Sequence, residues 1–265
     1  MRVTSRHHRI VRAFKSAAER TADTALLDGW HLLHEAVSAH VEIMTVAISQ
    51  RPSHAADAAL IDRLARHAQV ITVSDVVMDA LSPVRTPAGV VAIVQSRRPA
   101  FSEVLARKPA LVLVAVDVQD PGNAGAIVRS AEAGGASGVV LAGESADAWG
   151  WKALRAAMGS TFRLPVVRDL RTSIVLAQLR DAGLRVVATV PYEGVAMYDA
   201  DLRGSVALLL GGEGSGLDES VSRAADERVS IPMNAPVESL NVAVAAALLV
   251  YEARRQRQVS SLQTR

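Results

Sequence analysis

The sequence predicts an α/β protein of two domains. Short β-branched runs alternate with stretches of helical period along the whole chain, which is the pattern of sheets covered by helices. A charged segment, SRRPAFSEVLARKPA (96–110), punctuated by Pro99 and Pro109, splits that alternation into two series. The length, 265 residues, accommodates two modest domains.

In the first series, residues 6–22 read as a basic amphipathic helix. ALLDG (25–29) reads as a strand, WHLLHEAVSAH (30–40) as a helix and MTVAIS (44–49) as a strand. ADAALIDRLARHA (56–68) has helical period, QVITVS (69–74) strand character, and GVVAIVQ (89–95) is a continuous β-branched run. Residues 1–95 form the first domain, 96–109 a linker and 110–265 the second domain. The second series opens with the strongly apolar strand ALVLVAVDV (110–118). GVVLAG (138–143), a helix over 150–159, FRLPVV (162–167) as a strand, and a helix over 172–182 follow. LRVVATV (184–190), SVALLLGG (205–212) and RVSIPM (228–233) complete the strands, and a long helix runs from about 239 to 257.

Composition excludes several functions. The chain has no cysteine, which removes disulfides, thiolate metal sites and any cysteine nucleophile, and fits a reducing compartment. Aromatic residues make up 3%, too few for the stacking platforms of a single-strand binder. No apolar run reaches membrane-spanning length and no apolar core follows the basic N-terminus, so cytoplasm is expected. All seven histidines lie within the first 67 residues; His31 and His34 are one helical turn apart but lack a third ligand at suitable spacing, so no metal is expected. The net charge of +2 carries no argument for nucleic acid. Its distribution does: Arg2, Arg6, Arg9, Arg12, Lys15 and Arg20 crowd the first twenty residues, either as a solvated helix face or as a phosphate-binding strip.

LLLGGEGSGLDE (208–219) has the G-x-G-x-G spacing of a dinucleotide turn. That turn follows the first strand of its domain and needs a sheet after it, whereas 49 residues remain beyond Gly216. The loop belongs instead with two other clusters at strand ends, DVQDPGNAGAIVRSAEAGGASGVVL (117–141) and SIPMNAPVESLNVAVAAALLVYEA (230–253). Loops after the carboxyl ends of parallel strands share one side of a sheet, where ligands bind.

Taken together, these three clusters resemble the signature motifs of the SpoU (TrmH) family of RNA 2′-O-ribose methyltransferases, of the SPOUT superfamily, over residues 110–257. Residues 1–95 look like the L30e-like substrate-binding domain that precedes the catalytic domain in many relatives. The resemblance implies a C-terminal trefoil-knot domain, a homodimer and S-adenosylmethionine as cofactor. It implies methylation of a ribose 2′-hydroxyl in RNA, with 23S ribosomal RNA favoured over transfer RNA. A transfer-RNA enzyme and a catalytically inactive RNA-binding relative are the alternatives.

Residue by residue, the resemblance places Asn123, Arg129, Glu213, Ser239 and Asn241 at the reaction and Gly211, Ile231, Met233 and Leu240 against the cofactor. On pattern alone, Asn123 reads as the N-cap of the following helix and Arg129 as half of a surface ion pair. Glu213 reads equally as an acid capping the turn into Leu217-Asp218, and Ser239 as the N-cap of the terminal helix. Gly211 and Gly212 read as openings through which a ligand reaches backbone. Gly212 departs from the family, which often carries Asn or Ala there. Lys152 and Arg155 read as phosphate contacts or a solvated face; Trp149 and Trp151 read as packing alone. Because a guanidinium stays protonated, Arg129 is expected to anchor phosphate and stabilise alkoxide charge, not to act as base.

Overall fold

The computed structural model describes residues 2–21, 23–50, 55–169, 171–214 and 216–263. His54 of the histidine set, Ala22 of the first predicted helix and Ser215 of the glycine loop fall outside them. The chain opens with β1 (Arg2–Val3), α1 (Arg9–Glu19), β2 (Thr24–Asp28), α2 (Trp30–Ser38), β3 (Ile43–Ser49), α3 (Ala55–Leu64), β4 (Gln69–Val73), α4 (Asp75–Leu81) and β5 (Val90–Gln95). Next come α5 (Phe101–Val104), β6 (Leu111–Val116), α6 (Pro121–Gly134), β7 (Gly138–Ala142), α7 (Trp151–Ala157), α8 (Ser160–Arg163) and β8 (Val166–Asp169). Then follow α9 (Thr172–Asp181), β9 (Arg185–Thr189), β10 (Val195–Ala196), β11 (Val206–Gly211), α10 (Glu219–Arg223), β12 (Glu227–Ser230) and α11 (Val242–Gln263).

Two compact units result, and both are α/β as the sequence predicts. The first holds residues 1–97 together with 149–163; the second holds 98–148 and 164–265. The chain therefore passes between units at 97–98, 148–149 and 163–164.

The sheet of the first unit has the order β1-β4-β3-β5-β2, parallel across β1, β4 and β3 and antiparallel at β5 and β2. Its strands alternate as a doubly covered sheet must. Leu26, Val91 and Ile93 point to a core with Val11, Phe14 and Ala17 of α1, while Ala25, Leu27, Ala92 and Val94 point to the opposite core. That second core takes in Trp149, Leu154 and Phe162, with the Trp149 and Phe162 rings 5.7 Å apart. Packing thus accounts for Trp149, which is buried. The strand predicted over 162–167 is corrected: residues 160–163 are helical and the strand begins at Val166, after Pro165, whose ring nitrogen cannot donate to a ladder. Arg163 of α8 donates to Glu35 of α2.

Two acids of this unit, Asp28 and Asp57, are buried. Asp28 accepts a hydrogen bond from Ser82 and lies near Arg155. Burial raises its carboxyl above the usual value, against the lowering effects of Ser82 and Arg155. A carboxyl raised in the folded state holds a proton that the unfolded chain has released, so its contribution to stability falls as pH climbs past 3.8. Asp28→Asn is expected to match the parent near pH 4 and to exceed it in denaturant midpoint at pH 7. A constant difference across that range would contradict the assignment.

The sheet of the second unit has seven strands in the order β10-β12-β9-β11-β6-β7-β8, all parallel. Every residue of β6 and β7 is buried, matching their unbroken apolar runs. Against one face pack Val175, Leu176 and Leu179 of α9. Gly134 of α6 faces Val250 of α11 so closely that a Cβ would lie 1.8 Å from its Cγ1; absence of a side chain lets the two helices meet. Gly135 ends α6 in the left-handed conformation, as the Gly134-Gly135 pair predicts.

Candidate active site

The central strands of the second sheet, β12-β9-β11-β6, lie side by side and parallel, so the chain leaves all four at one edge. There the segments after β9, β11 and β12 enclose a cavity of about 490 Å³, within the range of small-molecule sites. Gly211, Ile231, Met233 and Leu240 all line it, as do Glu213, Ser239 and Asn241. Thr189, Val190, Pro191 and Leu217 complete much of the wall; they are uncharged, and the first three lie outside the three clusters, so the sequence gives no sign of them as site residues.

The glycines of the loop answer to the chain itself. A Cβ at Gly211 would lie 2.1 Å from the carbonyl carbon of Gly216 and 2.2 Å from the amide of Leu217. At Gly212 it would lie 2.1 Å from the carbonyl oxygen of Asp117, which explains why this chain has no side chain there. Both glycines permit backbone to pass against backbone, a demand that stands beside the expected opening for a ligand, since both also line the cavity. Gly214 and Gly216, at φ +91 and +67, turn the loop, and the Gly216 amide donates to the Gly212 carbonyl at 3.2 Å.

Three polar side chains are joined above this crossing. Asp120, not Asn123, caps α6: its carboxylate accepts the Asn123 amide at 2.8 Å, with Pro121 at the first helical position. The Asn123 side chain is therefore free, and its Nδ2 donates to Glu213 Oε1. Asn123 Oδ1 accepts from Asn241 Nδ2 at 3.0 Å. Asn241, not Ser239, caps α11, its Oδ1 accepting the Ala243 and Val244 amides at 2.9 and 3.3 Å. The acid capping the turn after Leu217 is Asp218, which caps α10 and leaves Glu213 to the asparagines. The Ser220 hydroxyl and amide hold the Asp218 carboxyl below its usual value.

This relay, Asn241 to Asn123 to Glu213, joins the three sequence clusters through residues 118 and 90 positions apart in the chain. Each amide uses one face as acceptor and one as donor, so the asparagines cannot flip without losing a bond. Ser239 is exposed at the cavity and makes no hydrogen bond among the described residues. Arg129 stands apart: it is exposed on α6, six residues or about 9 Å of helix axis beyond Asn123, and does not line the cavity. It has no ion pair among the described residues, against the expectation of a surface pair.

Lys152 and Arg155 belong to the first unit. Lys152 lies over the Trp151 ring at 5.5 Å, and Arg155 borders a cleft with Asp28 and Trp30. His34 bonds Asp57 at 3.0 Å, and no cluster of three or more metal-ligating side chains occurs among the described residues. No helix among them is long and apolar enough to cross a membrane.

Comparison with known proteins follows the same division. Residues 110–251 match the SpoU rRNA methylase family, and residues 9–92 match the MRM3-like substrate binding domain. Over 237 residues the chain is 35% identical to the 23S rRNA (guanosine(2553)-2′-O)-methyltransferase RlmP of Bacillus subtilis, covering 89% of this chain and 91% of that one. The AdoMet-bound rRNA methyltransferase of Sinorhizobium meliloti superposes with a TM-score of 0.86 at 29% identity, over 96% of this chain and 97% of that one. The SpoU methyltransferase AviRb of Streptomyces viridochromogenes, in complex with AdoMet, gives 0.86 at 28%, over 95% and 99%. With the fold, the motif positions and both domain matches in agreement, the chain belongs to the SpoU rRNA methylase family.

Proposed function

We propose that this chain methylates a ribose 2′-hydroxyl of 23S ribosomal RNA, with S-adenosylmethionine as methyl donor. The observation that carries the reading is the Asn241–Asn123–Glu213 relay at a cavity walled by Gly211, Ile231, Met233 and Leu240. Bound there, S-adenosylmethionine supplies a methyl group already activated by a sulfonium. What remains for the protein is to orient the hydroxyl and to manage its proton.

The cavity suits that cofactor: it is large enough, its apolar wall of Ile231, Met233 and Leu240 accepts an adenine, and the Gly211 backbone is accessible from it. Asn123, locked between Asn241 and Glu213, holds the three loops in one arrangement. Ser239 and Asn241 face the reacting hydroxyl, with the Ser239 hydroxyl free to bond it. Arg129 binds the adjacent phosphate and stabilises alkoxide charge, for which an exposed and unpaired guanidinium is suited. Arg129→Lys is expected to keep measurable activity and Arg129→Ala to lose it. Equal loss in both would assign the guanidinium a role that charge alone does not fill.

Residues 1–95 serve as the RNA-binding domain, joined through 96–109 to the methyltransferase domain over 110–265; by packing, α5 within that joining stretch belongs to the second unit and residues 149–163 to the first. Arg9, Arg12 and Lys15 are exposed on α1 while Val11, Phe14 and Ala17 of the same helix are buried, so the basic face is open to a partner, and we assign it to RNA phosphates. Replacing all three by alanine is expected to weaken RNA binding and flatten the salt dependence, lowering the slope of log K against log salt by about 2. An unchanged slope would make the strip a solvated face. Val244, Leu248, Tyr251 and Val259 leave an exposed apolar face along α11, which we assign to a homodimer contact.

Calorimetry with S-adenosylmethionine, with and without RNA, tests the reading, as does mapping of ribose methylation in total RNA with and without the gene. One new 2′-O-methyl in 23S RNA is expected. Binding of RNA without the cofactor would leave an inactive RNA-binding relative. A mark in transfer RNA would move the substrate, and a mark on a base atom would overturn the reaction.

A further inference from the structure

The chain is poor in aromatic residues, and most of those it has are consumed by packing: Phe14, Trp149 and Phe162 are buried, and Trp30, Trp151 and Phe101 are partly buried against the cores. The large exposed rings are the three tyrosines, Tyr192 at 58%, Tyr198 at 60% and Tyr251 at 51%. Tyr251 sits on the apolar face of α11, and Tyr198 borders a separate cleft with Asp199, Asp201 and Arg203. Tyr192 alone among them adjoins the cavity, directly after Pro191 of its wall. Its ring and hydroxyl have no partner among the described residues, so stability gives no reason for it to be there.

The segment that displays it is pinned. Before it, the Val190 amide donates to the Val229 carbonyl at 2.9 Å; after it, the Gly194 carbonyl accepts from Ser230 Oγ at 3.1 Å and the Met197 amide donates to the Ser230 carbonyl at 2.9 Å. Gly194 lies against β12 so closely that a Cβ would come within 2.7 Å of the Ser230 amide. Glu193 adopts φ +59, a conformation a non-glycine residue keeps only where its surroundings impose it. An exposed ring on a backbone held from both sides costs little further ordering when a planar partner meets it.

We propose that Tyr192 is a stacking residue for the RNA substrate, its ring taking the face of a nucleobase at or beside the methylated nucleotide. This rests on the assignment of the adjoining cavity to methyl transfer. Unpaired bases of RNA are recognised by stacking on aromatic side chains, and stacking tolerates any base because every base presents a π-face. Tyr192 therefore positions the ribose through the base attached to it and adds affinity without reading sequence. Composition excludes a platform of many rings; a single exposed ring directly after Pro191 of the cavity wall remains.

The test uses the full chain and an unmodified 23S ribosomal RNA transcript. Tyr192→Ala is expected to raise the KM for RNA about 10-fold, from the usual cost of losing one stacked base. Its affinity for S-adenosylmethionine, by calorimetry, is expected to stay unchanged, and Tyr192→Phe to match the parent. Tyr192→Trp is expected to keep activity and to show quenched indole emission on adding the transcript, after subtraction of the parent's tryptophan signal. Weakened cofactor affinity in Tyr192→Ala would overturn the proposal in favour of a ring covering the cofactor. An unchanged KM in Tyr192→Ala and unquenched emission in Tyr192→Trp, with an active parent, would leave no role in RNA binding. An inactive parent defeats the methyl-transfer reading instead, and stacking is then decided by the quenching alone.

Discussion

Replacing Asn123 by alanine is expected to lower kcat about 100-fold, the usual cost of removing one preorganised polar group from a reacting centre. The fold should survive, because Asp120 caps α6 and the Asn123 side chain supports no buried structure. Two exposed hydrogen bonds are lost, at about 1 kcal/mol of stability. Asn123→Asp should be no better: its Oδ1 still accepts from Asn241, but a carboxylate then faces Glu213 where an amide donated. Asn241→Ser separates capping from relay, since serine caps a helix as well as asparagine but cannot reach Asn123 with an amide. Stability near that of the parent with a large loss of kcat is expected for Asn241→Ser. Single-turnover methylation and denaturant unfolding measure the two quantities. An Asn123→Ala variant with half the parent's kcat would remove the relay from the chemistry.

Gly211→Ala is expected to be the most damaging small substitution in the second unit. Its Cβ would fall 2.1 Å from the Gly216 carbonyl carbon and 2.2 Å from the Leu217 amide, and both neighbours are backbone that cannot rotate away. The cost is about 3 kcal/mol or more, at the upper end of overpacking, and the cavity should lose cofactor affinity together with stability. Gly204→Ala is the control, because nothing lies within 4 Å of a Cβ there and its φ is not positive. That change should be neutral or stabilise by about 0.5 kcal/mol through the unfolded chain. Equal unfolding midpoints for the two variants would show that the crossing at Gly211 has room to relax.

Periodic segments were legible in the sequence. β6 and β11 are unbroken apolar runs, and α2 and α9 fall close to their expected bounds, because burial on both faces or on one stripe leaves its period in the residues. β1 and β10, with two residues each, are too short to show a period, and α4 is hidden by the adjacent Val76 and Val77. The site was legible in part. Three glycine- and asparagine-rich clusters named the loops, and the parallel sheet places them together. Which asparagine caps and which reacts was not legible, because Asp120 and Ser239 are equally good caps by type; only the three-dimensional path of the backbone decides that Asp120 and Asn241 fill those places. The second demand on Gly211 and Gly212 was not legible for the same cause: a chain crossing leaves no local mark that separates it from a ligand's approach.

The excursion of residues 149–163 into the first unit bears on inheritance. The stretch of sequence recognised as a methylase, 110–251, carries within it the residues Trp149, Leu154 and Phe162 that fill the core of the substrate-binding unit. A recombination event joining a foreign N-terminal half near residue 97 would deliver a sheet whose missing filling is encoded on the other side of the junction. Such a graft can succeed only where the incoming sheet fits those three side chains. The two halves must therefore fit as a matched pair, and a destabilising substitution at Leu27 or Val46 in one is expected to be relieved by a compensating change at Leu154 or Phe162 in the other, as a double-mutant cycle on unfolding would show.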